Sequence, residues 1–277
     1  MKEENPSTLF VCFHKEEIPI QLEGIQPIYV GNKELLEQGV VSDRTGDHIH
    51  EKNDRYGELT ALYWIWKNYK GNEFIGICHY RRYFLNTTRP NFFPAQIHRN
   101  ELEENKQLVT PMSEKWLCNA DIVLPSVVKL CNPVGLEYNK YHSAEDLKLM
   151  RIVLLELSPN YVAAWDKFIQ GNNVYLYNIF IARSELYDAY CTWLFRLLFR
   201  FDELDTLARP NSYQSRINGF LAERLLNVFV NHNNLRIKEI PIVFIGEKSI
   251  YRWNFWQNIK DVIKNFIFWI NGLAKSK

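Results

Sequence analysis

The sequence predicts an α/β fold with a mostly parallel central sheet flanked by helices, and two observations carry that prediction. Leu9-Phe-Val-Cys-Phe13 and Phe74-Ile-Gly-Ile-Cys78 are short apolar runs with the length and composition of buried strands. Between them a helical periodicity runs from about Glu51 to Tyr69, where Tyr56, Leu59, Tyr63 and Trp66 recur at three- and four-residue spacing. Strand, helix and strand in this order make a parallel unit, and such sheets bind ligands beyond the carboxyl ends of their strands.

The remaining elements follow in order. Ile25-Gln-Pro-Ile-Tyr-Val30 reads as a second strand closed by Gly31, and a polar loop, Ser42 to His50, leads into the first helix. The strand at Phe74 delivers His79-Tyr-Arg-Arg-Tyr83 at its carboxyl end. Residues 85–115 carry Pro90, Pro94 and Pro111 and little periodicity, so a long loop with short helices is expected there. Asp121-Ile-Val-Leu-Pro125 reads as a short strand, Ala144–Leu157 and Tyr161–Ile169 as helices, and Asn173–Ala182 as one strand. The stripe Leu186, Tyr187, Tyr190, Trp193, Leu194, Leu197, Leu198 and Phe201 marks the longest amphipathic helix. A helix over Tyr213–Asn231 and a strand over Ile237–Ile245 complete a domain expected to span 1–249.

Residues 250–277 read differently. Ile259, Val262, Ile263, Phe266, Ile267, Ile270 and Leu273 recur at helical spacing, beside Trp253, Trp256 and Trp269. Five basic residues stand there against Asp261 alone, which is the pattern of an amphipathic helix at a membrane surface. A terminal helix docked on the domain or on a second subunit gives the same pattern. Its apolar core is shorter than the ~18 residues a membrane span needs.

Composition narrows the function classes. Lys and Arg (33) nearly balance Asp and Glu (32), which argues against a nucleic-acid partner. Aromatic residues make up 14% of the chain, which suits either sugar-stacking surfaces or an aromatic-rich core. The five cysteines form no Cys-x-x-Cys pair, so reduced thiols and a cytoplasmic setting are expected. Met1-Lys-Glu-Glu-Asn-Pro6 has no apolar stretch, so no export signal is expected.

Three segments could carry chemistry. His79-Tyr-Arg-Arg-Tyr83 puts two guanidinium groups at the usual ligand edge, where they could neutralise a diphosphate or pair with Glu58 or Asp47. The loop Asp43-Arg-Thr-Gly-Asp47, followed by Lys52, Asn53 and Glu58, suits either anion and ribose contacts or a helix cap and turn. In Arg216-Ile-Asn-Gly-Phe-Leu-Ala-Glu223 the glutamate is either a general base or one half of a surface ion pair. Phosphate-binding, serine-hydrolase and zinc-peptidase signatures do not occur, and His48 and His50 lack a third ligand nearby.

Taken together, the motifs resemble a known family. Asp43-x-Thr-Gly-Asp47, Lys52-Asn53, Tyr56-x-Glu-Leu-Thr-Ala-Leu-Tyr-Trp-x-Trp-Lys-Asn68 and Gly76-x-x-His-Tyr-Arg-Arg-Tyr-Phe84 are similar to bacterial capsular-polysaccharide and O-antigen glycosyltransferases, including galactofuranosyltransferases. Phe13-His-Lys15, Ala120-Asp-Ile-Val-Leu-Pro125, Tyr141-His142, Tyr177-Asn-Ile-Phe180, Trp193-Leu-Phe195 and Arg216-x-x-Gly-Phe-Leu-Ala-Glu-Arg-Leu225 extend the resemblance over roughly residues 8–246. His48 and His50 stand where Asn and Ser are expected, and Ile179 where Met is usual.

The resemblance implies a GT-A-like nucleotide-sugar-binding fold and sugar transfer from a UDP-sugar, galactofuranose or galactose leading, to a lipid-linked glycan by inverting displacement. It implies Glu223 as base, with Asp121 as a second catalytic carboxylate. His14, Lys15, Asp43, Thr45, Gly46, Asp47, Lys52, Asn53, His79, Tyr80, Arg81 and Arg82 would hold the donor. His142, Asn178 and Arg216 would form the acceptor pocket. No cofactor is expected: the sequence has no Asp-x-Asp, so a divalent Mn or Mg ion would need other ligands. A peripheral place on the inner face of the membrane follows, held by 250–277.

Overall fold

The computed structural model describes residues 7–14, 20, 22–31, 40–71, 73–86, 94–109, 114–209, 211–247 and 250–251. Lys15 and nearly all of the amphipathic tail, from Arg252 on, lie outside the described residues.

The strands are β1 (Thr8–Phe13), β2 (Ile25–Tyr29), β3 (Val41–Ser42), β4 (Phe74–His79), β5 (Arg82–Phe84), β6 (Pro94–His98), β7 (Ile122–Leu124), β8 (Val128–Lys129), β9 (Asn173–Val174), β10 (Phe180–Arg183), β11 (Ile237–Glu239), β12 (Ile242–Gly246) and β13 (Ile250–Tyr251). The helices are α1 (Asn53–Tyr56), α2 (Leu59–Asn68), α3 (Val134–Asn139), α4 (Ala144–Leu157), α5 (Val162–Gln170), α6 (Ser184–Leu204), α7 (Ser212–Ser215) and α8 (Ile217–His232).

The central sheet runs β3-β2-β1-β4-β10-β7-β11. Its first four strands are mutually parallel. β10 lies antiparallel to both β4 and β7, and β11 is parallel to β7. β5, β12, β6 and β13 form a wing that leaves the sheet at the carboxyl end of β4. The mostly parallel sheet expected from the strand–helix–strand order is thus present.

Apolar side chains cover both faces. One core packs α2, α4, α5, α6 and α8 on the sheet, and a second gathers the other face of β1 and β4 with β5 and β12. The α6 stripe behaves as its periodicity predicts: Tyr187, Tyr190, Trp193, Leu194, Leu197, Leu198 and Phe201 are all buried. Each such side chain contributes about 1.5–3 kcal/mol of transfer free energy.

Four expectations need correcting, and each has a local cause. The helix expected over Glu51–Tyr69 is broken at Gly57, whose φ of 55° and ψ of −127° suit glycine and not an L side chain. The Asn53 side chain fixes that bend by donating to the Gly57 carbonyl and to Thr60 Oγ1, both at 3.2 Å. The strand expected over Asn173–Ala182 is interrupted at 175–179. There the Asn227 amide of α8 takes both backbone groups of Tyr175 at 2.8 Å, in place of a strand neighbour. The strand expected over Ile237–Ile245 divides at Ile240-Pro241, because proline has no N–H to offer a ladder. Within 85–115, β6 forms and pairs in parallel with β12, where only loop and short helices were expected. The cysteines are free, and Cys118 and Cys131 are exposed.

Candidate functional site

β4 is buried until its last residue, and the chain then turns through Tyr80 and Arg81 into β5. The Tyr80 N–H donates to the Cys12 carbonyl of β1 at 3.0 Å, which pins that turn across the strand ends. The result is a cavity of about 550 Å³ at the carboxyl edge of β1 and β4. Its floor and one wall are Cys12, His14 and His79 to Arg82. The bend at Gly57-Glu58 with Asn53, the turn at Tyr177, and the first two turns of α8 supply the rest. Tyr141, His142, Tyr213 and Arg216 complete the lining.

The cations here are available to a ligand. Among the described residues Arg81, Arg82 and Arg216 form no ion pair, and the Nε groups of Arg81 and Arg82 are buried without a hydrogen-bond partner. The Arg82 guanidinium carbon lies over the Tyr177 ring, 4.5 Å from its centroid, within cation–π range. Neither Arg81 nor Arg82 pairs with Glu58 or Asp47, so the alternative of an internally neutralised Arg pair does not describe this site.

Two carboxylates face the same cavity. Glu223 Oε1 accepts from the Tyr177 N–H at 3.1 Å, and Oε2 accepts from Arg224 Nη1 at 2.7 Å. Burial raises its pKa, the Arg224 charge pulls it back down, and Glu58 pushes it further up. Glu58 Oε1 accepts from the Asn178 side-chain amide at 2.8 Å. That amide also donates to the Gly219 carbonyl, so Asn178 ties the bend to α8 without itself lining the cavity.

Tyr177 and Asn178 have φ of 81° and 50°. Left-handed backbone is unusual for a tyrosine and costs of order 1–3 kcal/mol. Here it turns the Tyr177 N–H toward Glu223 and its carbonyl toward His79 Nε2, at 3.0 Å. A carbonyl only accepts, so Nε2 carries the proton and Nδ1 is the free acceptor. Burial lowers the His79 pKa, against the pull of Glu58.

Of the residues expected to hold the donor, His14, Asn53, His79, Tyr80, Arg81 and Arg82 line the cavity, as do His142, Arg216 and Glu223. Others do not. Asp43 is fully buried and hydrogen-bonded to His50 Nδ1 at 2.9 Å. The Thr45 carbonyl accepts from Trp64 Nε1 at 2.7 Å, and Asp47 Oδ1 accepts from the Tyr63 hydroxyl at 3.1 Å. Gly46, with φ of 64°, packs on Asn68, which bonds both backbone groups of Asp47. Lys52 sits 3.9 Å from Asp202. This loop fastens α2, as the cap-and-turn reading has it.

Asp121 is also elsewhere. β7 and β4 both run opposite to β10, so they are parallel, and a residue preceding β7 lies at the edge opposite His79. Its carboxylate is held by Arg236 at 2.7 and 3.1 Å, which lowers its pKa.

Sequence reasoning takes Glu58 as part of the Asp43–Asp47 segment or as a partner of the arginines, and Tyr177 and Arg224 only as members of shared motifs, so it assigns none of the three to this cavity. Glu58 had one signal, the glycine before it inside a helical pattern. Tyr177 had none, since backbone sign is not written in residue type.

A divalent ion would need converging carboxylates. The two present are engaged by Asn178, by the Tyr177 N–H and by Arg224, and the end of β4 supplies cations. Among the described residues no three His, Cys, Asp or Glu side chains converge. The donor set does not fit such an ion.

Comparisons with known proteins agree with this architecture. The chain is similar to the apo structure of WbbM, a bifunctional glycosyltransferase, with a TM-score of 0.78 and 25% identity over 88% of this chain. It spans 46% of that chain, about half its length. The likeness fits a GT-A-like fold. No curated protein matches the chain. The model of a domain of unknown function, DUF4422, matches residues 8–234, and the chain belongs to that family.

Proposed function

We propose that this chain is a glycosyltransferase that moves a sugar from a UDP-sugar to a hydroxyl of a glycan acceptor by inverting direct displacement. One observation carries the reading: partnerless arginines and the Glu223 carboxylate line a single cavity at a sheet edge. Arg81 and Arg82 hold the diphosphate bidentately, with no metal. Glu223 takes the proton of the acceptor hydroxyl as that oxygen bonds to the anomeric carbon. The bond from that carbon to the diphosphate oxygen breaks at the same time. The electron pair leaves on the diphosphate, where the guanidinium groups stabilise the developing charge.

Arg224 has a supporting part. Its 2.7 Å ion pair favours an ionised Glu223, against the burial that raises the pKa of this carboxyl. The similarity to WbbM supports glycosyl transfer, and the motifs shared with capsule and O-antigen enzymes support galactofuranose or galactose as the sugar. They also support a lipid-linked acceptor, with the 250–277 tail on the inner membrane face. Among the described residues no helix is long and apolar enough to cross a membrane.

The test is calorimetric titration of UDP with excess EDTA. Binding is expected without a divalent ion, and loss on chelation with recovery on adding Mn²⁺ overturns the metal-free site. A protein that binds UDP but turns over no nucleotide sugar is a carbohydrate- or nucleotide-binding protein on the same fold.

A further inference from the structure

A second hollow of about 400 Å³ adjoins the first, and the two share Tyr141 and His142 as a common wall. That volume is in the range of small-ligand sites. The wall is rigid. Gln214 Oε1 accepts from His142 Nδ1 at 3.1 Å and its amide donates to the Tyr141 carbonyl at 2.6 Å. The imidazole is packed between Phe220 and Tyr138, at centroid distances of 4.1 and 4.6 Å.

The two hollows differ in charge. The first has arginines with no ion-pair partner, as a diphosphate requires. In the second every cation is already neutralised. Arg209 bonds Asp146 and Asp205, both at 2.7 Å, and Lys140 bonds Glu137 at 2.6 Å. The other lining groups are Asn139, Ser143, Gln214, Leu207, Ala208 and the shared wall. This set offers neutral amides and a hydroxyl beside apolar surface.

Part of the exposed apolar surface lies at the same place. Of seven exposed large apolar side chains among the described residues, Tyr141 (63%), Tyr213 (56%) and Leu207 (39%) border these two hollows. An exposed aromatic beside the hydrogen-bonded Gln214 amide, with Asn139 and Ser143 nearby, matches a sugar ring, which has a C–H face and a hydroxyl edge.

We propose that the second hollow binds an uncharged sugar unit of the acceptor glycan, next to the unit that reacts, so that the acceptor is a neutral oligosaccharide of at least two sugars. The inference rests on the transferase reading, because the first hollow must hold the donor and the reacting hydroxyl. The chain of the acceptor then passes over the Tyr141–His142 ridge.

The experiment uses the full chain with saturating UDP, on an array of neutral and uronic-acid-containing glycans from one to four sugars. Neutral glycans of two or more units are expected to be retained above single sugars. Ala208→Trp fills only the second hollow from an exposed loop and is expected to lower that retention roughly tenfold or more. Asn139→Trp, from an exposed position on the opposite lip, is expected to act likewise. Calorimetric UDP binding by both variants should match the parent, which shows that they fold. Equal retention of single sugars, preference for acidic glycans, no retained glycan, or variants that bind as the parent does would each overturn the subsite. Loss of UDP binding by the parent protein is a different failure, that of the donor site.

Discussion

Two polar segments flank α2, and they use their hydrogen-bonding groups in opposite ways. In the Asp43–Asp47 loop most polar groups have a partner within the protein: Asp43 Oδ1 with His50, the Thr45 carbonyl with Trp64, and Asp47 with Tyr63 and Asn68. Asp43 Oδ2 and Arg44 Nε are buried without one. The His79–Arg82 turn leaves two guanidinium groups without ion pairs beside an open cavity. Both segments are rich in charge and adjoin a strand or helix end. What separates them is that the first loop spends most of its groups on the protein and lies off the cavity, whereas the second lines it with cations that have no ion pair. A satisfied group has little left to offer a ligand. Substitutions in the first segment should therefore change stability, and in the second, binding and turnover.

The largest effect is expected at Glu223, the proposed base. Glu223→Gln keeps the acceptor for the Tyr177 N–H but cannot take a proton, so turnover should fall roughly 10²–10⁴-fold with UDP affinity unchanged. The wild-type pH profile adds a second reading. The proposed mechanism uses Glu223 in its ionised form, and burial raises its pKa, so activity should be lost as pH falls, along a limb above the ordinary glutamate value of about 4.3. A mutant with more than half the parental rate would place the base elsewhere, and Glu58 in the same cavity is the next carboxylate to test.

Arg82→Ala comes next. Removing a buried phosphate partner leaves the anion uncompensated and should weaken UDP by on the order of 2–5 kcal/mol. Thermal unfolding of the free protein should change little, because among the described residues Arg82 makes no ion pair whose loss the fold would feel. UDP affinity within a few tenths of the parent in log Kd would show that the pyrophosphate lies elsewhere.

A third substitution attacks the bend that brings Glu58 to the cavity. No atom lies within 4 Å of a methyl group at Gly57, so Gly57→Ala tests backbone conformation alone. Forcing alanine into that conformation should cost of order 1–3 kcal/mol in denaturant unfolding. Turnover should fall as well, since relaxing the bend moves Glu58 and Asn178 together.

How far the sequence could be read depends on what each feature needed. The buried strands and the α6 stripe were legible because period and composition are local properties, and His79–Arg82 was legible because it follows an apolar run. Glu58 was hidden by a continuous helical period that Gly57 breaks, and the turn at Tyr177 by a backbone sign that no residue type announces. Asp121 was misplaced because only the pairing of β10 with both β4 and β7 reveals which end of β7 meets the cavity. The Asp43–Asp47 loop showed polarity in sequence, but its partners Trp64, Tyr63 and Asn68 lie a further 16 to 21 residues along.

The smallest effect sharpens the opening contrast most directly. Asp47 was grouped by sequence with the donor contacts, yet its carboxylate meets the Tyr63 hydroxyl at 3.1 Å, within a tyrosine that is 9% exposed. Asp47→Ala removes one such bond at a partly open site, so it should cost about 1 kcal/mol of stability. The Tyr63 phenol supplies an internal gauge. Burial first, then the hydrogen bond and charge of Asp47, push its pKa up to about 12. Losing the carboxylate should bring that value part of the way back toward the ordinary 10. The shift is read from the difference between the ultraviolet titration curves of the parent and Asp47→Ala, with Tyr63→Phe identifying the Tyr63 contribution. UDP affinity should be unchanged in the same sample. If instead UDP binding weakens while the Tyr63 titration stays put, the loop touches the donor and the division between a fastening segment and a binding segment fails.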